Sequence, residues 1–160
     1  MMGETIIPDS ISNPICTGFH PDPSICRVGE DYYLVTSSFT WFPGLPIYHS
    51  RDLTNWSLIG HALTNPKAID FNGMTDNDGI WAPTLRYHNG TFYLITTAHG
   101  CGGNFYMTAK NPAGPWSDPV WLKDAPGIDP SLFFDVDGRC YYTGNRWDFK
   151  SAWPAQRAVW

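Results

Sequence analysis

Residues 22–36, DPSICRVGEDYYLVT, and residues 82–96, APTLRYHNGTFYLIT, align without a gap at an offset of 60. Asp22-Pro23-Ser24-Ile25 falls on Ala82-Pro83-Thr84-Leu85, Gly29 on Asn89, and Tyr33-Leu34-Val35-Thr36 on Tyr93-Leu94-Ile95-Thr96. The offset continues to Trp56-Ser57 and Trp116-Ser117. A third copy starts at Asp129-Pro130-Ser131-Leu132, turns at Asp137-Gly138 and resumes at Tyr141-Tyr142-Thr143, one or two residues longer. A self-match at fixed period means repeated supersecondary units, so the chain must fold as an array.

Each copy reads as four short strands. In the first they fall at about 23–28, 31–38, 45–50 and 56–61, and in the second at about 83–88, 91–98, 104–109 and 116–122. Val28-Gly29-Glu30-Asp31 and His88-Asn89-Gly90-Thr91 are hairpin turns. No segment keeps a 3.6-residue apolar period over three turns. The class is therefore all-β. Four-stranded units at this spacing are propeller blades, and a β-sandwich would give short strands without the gapless repeat. The expected layout is blade 1 at about 20–65, blade 2 at about 79–123 and an incomplete blade 3 from about 128. Propellers close with at least 4 blades, so residues 1–160 read as the N-terminal part of one propeller domain.

Composition narrows the ligand. The chain carries 8 Trp, 8 Tyr and 9 Phe, a net charge of -5 and only 10 basic residues. That balance argues against a nucleic-acid partner. A neutral, hydroxyl-rich ligand fits better, because sugar C–H faces pack on aromatic rings and carboxylates accept from hydroxyls. The N-terminal MMGETIIPDSISNP has neither a basic n-region nor a long apolar run, and no stretch is long enough for a membrane helix. The expectation is a cytoplasmic chain, without a membrane partner, whose four cysteines are free thiols. Neither cysteines nor histidines show metal-ligand spacing, so no metal or cofactor is expected.

The repeat serves as an internal control on the polar residues. Position 22 is Asp, its equivalent 82 is Ala, and the third copy carries Asp129, so the blade does not require a carboxylate there. First strands line a propeller's channel, which would bring Asp22 and Asp129 to one axial pocket. Paired carboxylates in one pocket are what glycosidic hydrolysis needs; Asp as a common turn residue is the alternative. Trp81 should face the axis and stack on a sugar, with core packing as the alternative. Phe39 and Trp41 sit on a loop leaving the second strand and suggest a platform or an apolar anchor. His20, two residues before Asp22, lies on the same side of an extended chain and borders the pocket or braces it.

At this point the residues resemble a known family. Asn13-Pro14-Ile15, Gly18-Phe19-His20-Pro21-Asp22-Pro23-Ser24-Ile25, Phe42-Pro43-Gly44, His49-Ser50-Arg51-Asp52-Leu53 with Trp56, Gly79-Ile80-Trp81-Ala82-Pro83 and Gly127-Ile128-Asp129-Pro130-Ser131-Leu132 stand in the order of glycoside hydrolase family 43. The match resembles most its β-xylosidase and α-L-arabinofuranosidase branch. The resemblance implies a five-bladed propeller, of which this chain holds about two blades and the start of a third. It implies hydrolysis by single displacement with inversion. It implies that Asp22 is the general base and that Asp129 tunes and orients the general acid. That acid is a Glu opening a later blade. The only Glu residues here, Glu4 in the N-terminal tail and Glu30 in a hairpin turn, match no acid motif. Blade spacing puts the acid ~45–60 residues after Asp129.

The expected substrate is a xylo-oligosaccharide or an arabinoxylan-derived chain, from which terminal xylosyl or arabinofuranosyl units are cleaved. The alternatives are a carbohydrate-binding propeller without catalysis and a short chain with no activity of its own. The sequence leaves open the sugar, the oligomeric state and a channel cation, which this family sometimes holds through later residues.

Overall fold

Leu94 and Ile95 are neighbours in sequence, and both are fully buried in different cores. Successive side chains of a strand point to opposite faces, so the strand carrying them must be covered on both sides. The computed structural model, which describes residues 10–145 and 158–159, shows what covers it. Three antiparallel sheets follow one another along the chain. The first is β1 (Ser24–Val28), β2 (Asp31–Val35), β3 (Gly44–Ser50) and β4 (Ser57–Leu63), in that order. The second is β5 (Gly79–His88), β6 (Thr91–His99), β7 (Gly103–Ala109) and β8 (Val120–Trp121). The third has the order β11-β10-β9, from β9 (Ile128–Phe134), β10 (Cys140–Asn145) and β11 (Ala158–Val159). Every element among the described residues is a strand. No helix there is long and apolar enough to cross a membrane.

Leu94, Phe92, Ala98, Phe105 and Met107 of the second sheet pack on Val35, Leu45, Ile47, Ala62 and Leu63 of the first. Ile95, with Tyr93 and Tyr106 beside it, packs on Leu132 and Tyr142 of the third. Each fully buried aliphatic contributes about 1.5–3 kcal/mol relative to exposure. Both faces of the second sheet are thus apolar, which is the pattern of a blade between two blades.

The repeat is visible in the pairing. Ser24↔Val35 through Val28↔Asp31 in the first hairpin recurs as Thr84↔Ile95 through His88↔Thr91 in the second. Inner strands meet in sequence, β1 against β5 and β5 against β9. Ser24 Oγ accepts from the Leu85 amide at 3.1 Å across the first seam. Across the second, Arg86 donates through Nε to the Leu132 carbonyl and through Nη2 to Ser131 Oγ.

Three strands differ from the sequence expectation. The second strand ends at Val35 rather than near 38, because Ser38 and Phe39 turn their amides to the Ile80 carbonyl of the next sheet. The first strand of the second copy starts early, at Gly79, and a bulge between Trp81 and Thr84 absorbs Pro83, which has no N–H to pair. The expected strand over 116–122 shrinks to Val120–Trp121. Pro115 and Pro119 break its ladder, and outside Val120–Trp121 Ser117 keeps a backbone bond to Thr108 and Leu122 one to Asn104.

Gly79 marks the joint between the first two sheets. The Phe39 amide donates to the Ile80 carbonyl at 2.9 Å, and the Ile80 amide donates back to the Phe39 carbonyl at 3.0 Å. Gly79 has φ +93, and a Cβ there would lie 2.4 Å from the Phe39 carbonyl oxygen. Gly79→Ala should therefore strain its own backbone by roughly 1–3 kcal/mol and push the two strands apart as well. The expected result is a lowered denaturant midpoint with an unchanged m-value; a midpoint equal to the parent's would show that the joint yields freely.

Candidate active site

Asp22 precedes β1 by two residues and Asp129 is the second residue of β9. Both stand in the left-handed region, at φ 51 and φ 53, where few residues other than Gly settle. Ala82, their sister in β5, has no such backbone. Such conformations cost energy and persist where the surroundings over-determine them, often at functional sites. The two carboxylates also sense one another. Partial burial first, and the negative charge of Asp22 second, push the Asp129 carboxyl above the usual carboxylate range. Asp22 itself accepts a 2.6 Å hydrogen bond from Ser37 Oγ. Ser37 is buried, and its amide donates to the Pro21 carbonyl at 3.0 Å.

The sister of Ser37 is Thr97. It has no carboxylate to hold, and its hydroxyl donates to Asn104 Oδ1 at 2.6 Å. Buried Asn104 in turn donates from Nδ2 to the Ala125 carbonyl at 2.7 Å and to Tyr142 Oη at 2.8 Å. Those contacts fix the segment that leads into Asp129. The same blade position thus braces one carboxylate directly and the approach to the other through an amide.

The aromatic candidates divide into two groups. Phe39 and Trp41 meet a ring that sequence reasoning passed over, Phe19, with centroids 5.8 and 5.9 Å apart. Trp41 is 69% exposed and Phe19 is 57% exposed, so the cluster lies open to solvent as a shelf of rings. Trp81 is half-buried. Its Nε1 donates to the Asn77 carbonyl at 2.8 Å, and its ring lies flat on His99 at 3.8 Å with an interplanar angle of 8°. His99 Nδ1 donates to Asp78 at 2.9 Å. Hydrogen bonds from the Thr75 amide and hydroxyl hold the Asp78 carboxyl below its usual range, with a smaller part from His99.

His20 lies outside β1, and the chain turns at Asp22, so the alternation that placed the two on one side of an extended strand does not apply. Its Nε2 donates to the Thr17 carbonyl at 3.0 Å and its ring meets Tyr48 edge-on at 5.3 Å. Nδ1 is buried without a partner among the described residues. Glu30 lies in the β1–β2 turn, and Glu4 lies outside the described residues. Among the described residues no group of three or more His, Cys, Asp or Glu is placed to hold a metal ion.

Phe19, Ser37, Asp78, His99 and Asn104 were missed by sequence reasoning. Ser37 could have been found by extending the hairpin register two steps past Ser24↔Val35, which sets Asp22 opposite Ser37. His99 could have been found as the sixty-residue sister of Phe39.

Comparison with known proteins gives consistent matches. The profile described as glycosyl hydrolases family 43 matches residues 11–159. A xylosidase/arabinosidase of Butyrivibrio fibrisolvens is 57% identical over 84% of this chain and 26% of its own length. The non-reducing end α-L-arabinofuranosidase BoGH43B of Bacteroides ovatus is 55% identical over 89% of this chain and 27% of its own. Among solved structures, the xylan β-1,4-xylosidase of Bacillus halodurans superposes with a TM-score of 0.81 at 51% identity, covering 89% of this chain and 28% of that one. The chain thus spans about a quarter of the length of the relatives it matches.

Proposed function

This chain belongs to glycosyl hydrolases family 43, and from that membership we propose that it supplies the base side of an inverting exo-glycosidase that releases xylosyl or arabinofuranosyl units from xylan-derived oligosaccharides. The fold is the corresponding one, an all-β, five-bladed propeller of which these residues form two blades and open a third. The observation that carries the reading is the pairing of Asp22 with Asp129. They share a strained backbone and a common field, and the sister position in the blade between them is Ala82.

Asp22 is the general base. With Ser37 Oγ bonded to Oδ2, the other carboxylate oxygen is left to take a proton from water on the far face of the anomeric carbon. The water oxygen bonds to that carbon as the bond to the leaving oxygen breaks. The leaving oxygen takes its proton from the family's general acid, a Glu that none of the described residues supplies. Asp129 stays near the acid and holds its proton affinity up, as closely spaced carboxyls do. Trp81 presents a flat face to the sugar, and the Phe19–Phe39–Trp41 shelf takes the rim side of the substrate.

The sequence is extended over the length of its relatives and given aryl β-xyloside and aryl α-L-arabinofuranoside, with the first-formed anomer followed by proton NMR. Cleavage with inverted configuration is expected. A retained anomer would remove the base role from Asp22, because retention needs a nucleophile instead. Sugar binding without turnover would favour a carbohydrate-binding propeller.

A further inference from the structure

His99 and Asp78 have no part in the chemistry above, yet they are bonded at 2.9 Å directly beside Trp81. His99 stands opposite Gly79 in the β5–β6 pairing, and Trp81 lies on the diagonal. Gly79 has no side chain, so the two rings can close over that position, and they stack at 3.8 Å and 8°. Diagonal pairs across antiparallel strands lie within reach of aromatic side chains. A Trp ring has two rotatable bonds and would otherwise sample several rotamers. Here it is fixed at its edge by the Asn77 carbonyl and on one face by His99. The imidazole is fixed in turn by the Asp78 carboxylate, and Asp78 by the Thr75 amide and hydroxyl at 2.9 and 2.7 Å. Gly100 packs against the same carboxylate, since a Cβ there would lie 3.2 Å from Asp78 Oδ1.

We propose that His99, oriented by Asp78, is a positioning residue for sugar binding that holds Trp81 in the plane its free face needs to stack on the substrate. The proposal rests on the reading that Trp81 contacts the sugar. The repeat supports it independently. His99 is the sister of Phe39, so consecutive blades place a ring at the same position, one on each side of the Ile80–Trp81 segment. In the first blade the ring joins the open shelf. In the second it lies against the tryptophan.

Stacking and hydrogen bonding are separable by substitution, with kinetics on the aryl glycosides in the extended enzyme. His99→Ala removes both and should raise KM about 3- to 10-fold, with kcat kept within about twofold. His99→Phe restores a ring beneath Trp81 and should return KM to within about twofold of the parent, while His99→Leu should not. Asp78→Asn keeps the ring but weakens its orienting bond, and its KM should fall between these. Trp81→Ala is measured beside them and should raise KM roughly tenfold. If Trp81→Ala leaves KM unchanged, the sugar contact itself is wrong and this proposal falls with it. If Trp81→Ala raises KM while His99→Ala does not, or if His99→Phe is no better than His99→Leu, only the positioning role is overturned. The Phe–Leu comparison decides the matter even if His99→Ala does not fold.

Discussion

Asp22→Asn should lower kcat by about 10²–10⁴ and leave the fold intact. The amide cannot accept the proton of the attacking water, and no other described carboxylate adjoins Ser37. Folding should be spared for three reasons. Asn tolerates the left-handed backbone seen at φ 51 better than most residues. Its side-chain oxygen can still accept from Ser37 Oγ. Ala82 also shows that a blade forms without a carboxylate there. A further consequence touches Asp129. With the Asp22 charge gone, the Asp129 carboxyl loses one cause of its raised pKa and keeps only its partial burial. The measurement is kcat beside the thermal midpoint. A variant that folds as the parent does and keeps more than a tenth of its kcat would place the base elsewhere.

Residues 1–160 expressed by themselves should cleave neither a natural xylo-oligosaccharide nor an activated aryl glycoside. Two deficits can be told apart. A natural substrate leaves as a poorly stabilised alkoxide and needs a general acid, whereas an aryl group leaves with little help. The sequence holds only Glu4 and Glu30, and Glu30 sits in a turn at the far end of β1 from Asp22. Loss of the acid alone would spare much of the aryl activity. The second deficit is packing. Between the second and third sheets lies an apolar cavity of about 290 Å³ lined by Tyr93, Tyr106, Leu132, Phe134 and Tyr142. A cavity of that size forfeits dispersion contacts between the two sheets. Without a closed channel Asp22 has no positioned water to activate. Aryl cleavage by these residues alone would show that the pocket is complete within them. Cleavage of the natural substrate too would place an acid in this sequence.

The blade pattern was legible because each strand carries it locally. The Gly29 and Asn89-Gly90 turns fix both hairpin registers, and the sixty-residue offset recurs pair for pair in the first hairpin of each blade. The carboxylate pair was legible by contrast with Ala82. What escaped depended on contacts distant in sequence. The end of β2 is set by Ile80, more than forty residues on, and nothing in Thr36-Ser37-Ser38 announces it. Trp81 was expected to face the axis, with core packing as the alternative, and nothing near it in sequence announces that His99 takes one face of its ring and the Asn77 carbonyl its edge. Phe19 read as one letter of a motif, and only folding brings it to Phe39 and Trp41.

The Phe39–Ile80 joint is made wholly of main-chain amides and carbonyls. Its strength is therefore indifferent to which side chain position 39 carries, provided that residue accepts a left-handed φ and is not proline. The side chain at position 39 is thereby released from the duty of holding the two sheets together. If residues 39 and 41 face substrate as proposed, drift there would reshape what the pocket admits while the mutational load on folding stays at Gly79. On that reading, a scaffold divided in this way would let substrate preference change by single steps, each keeping the Asp22–Asp129 pair in place.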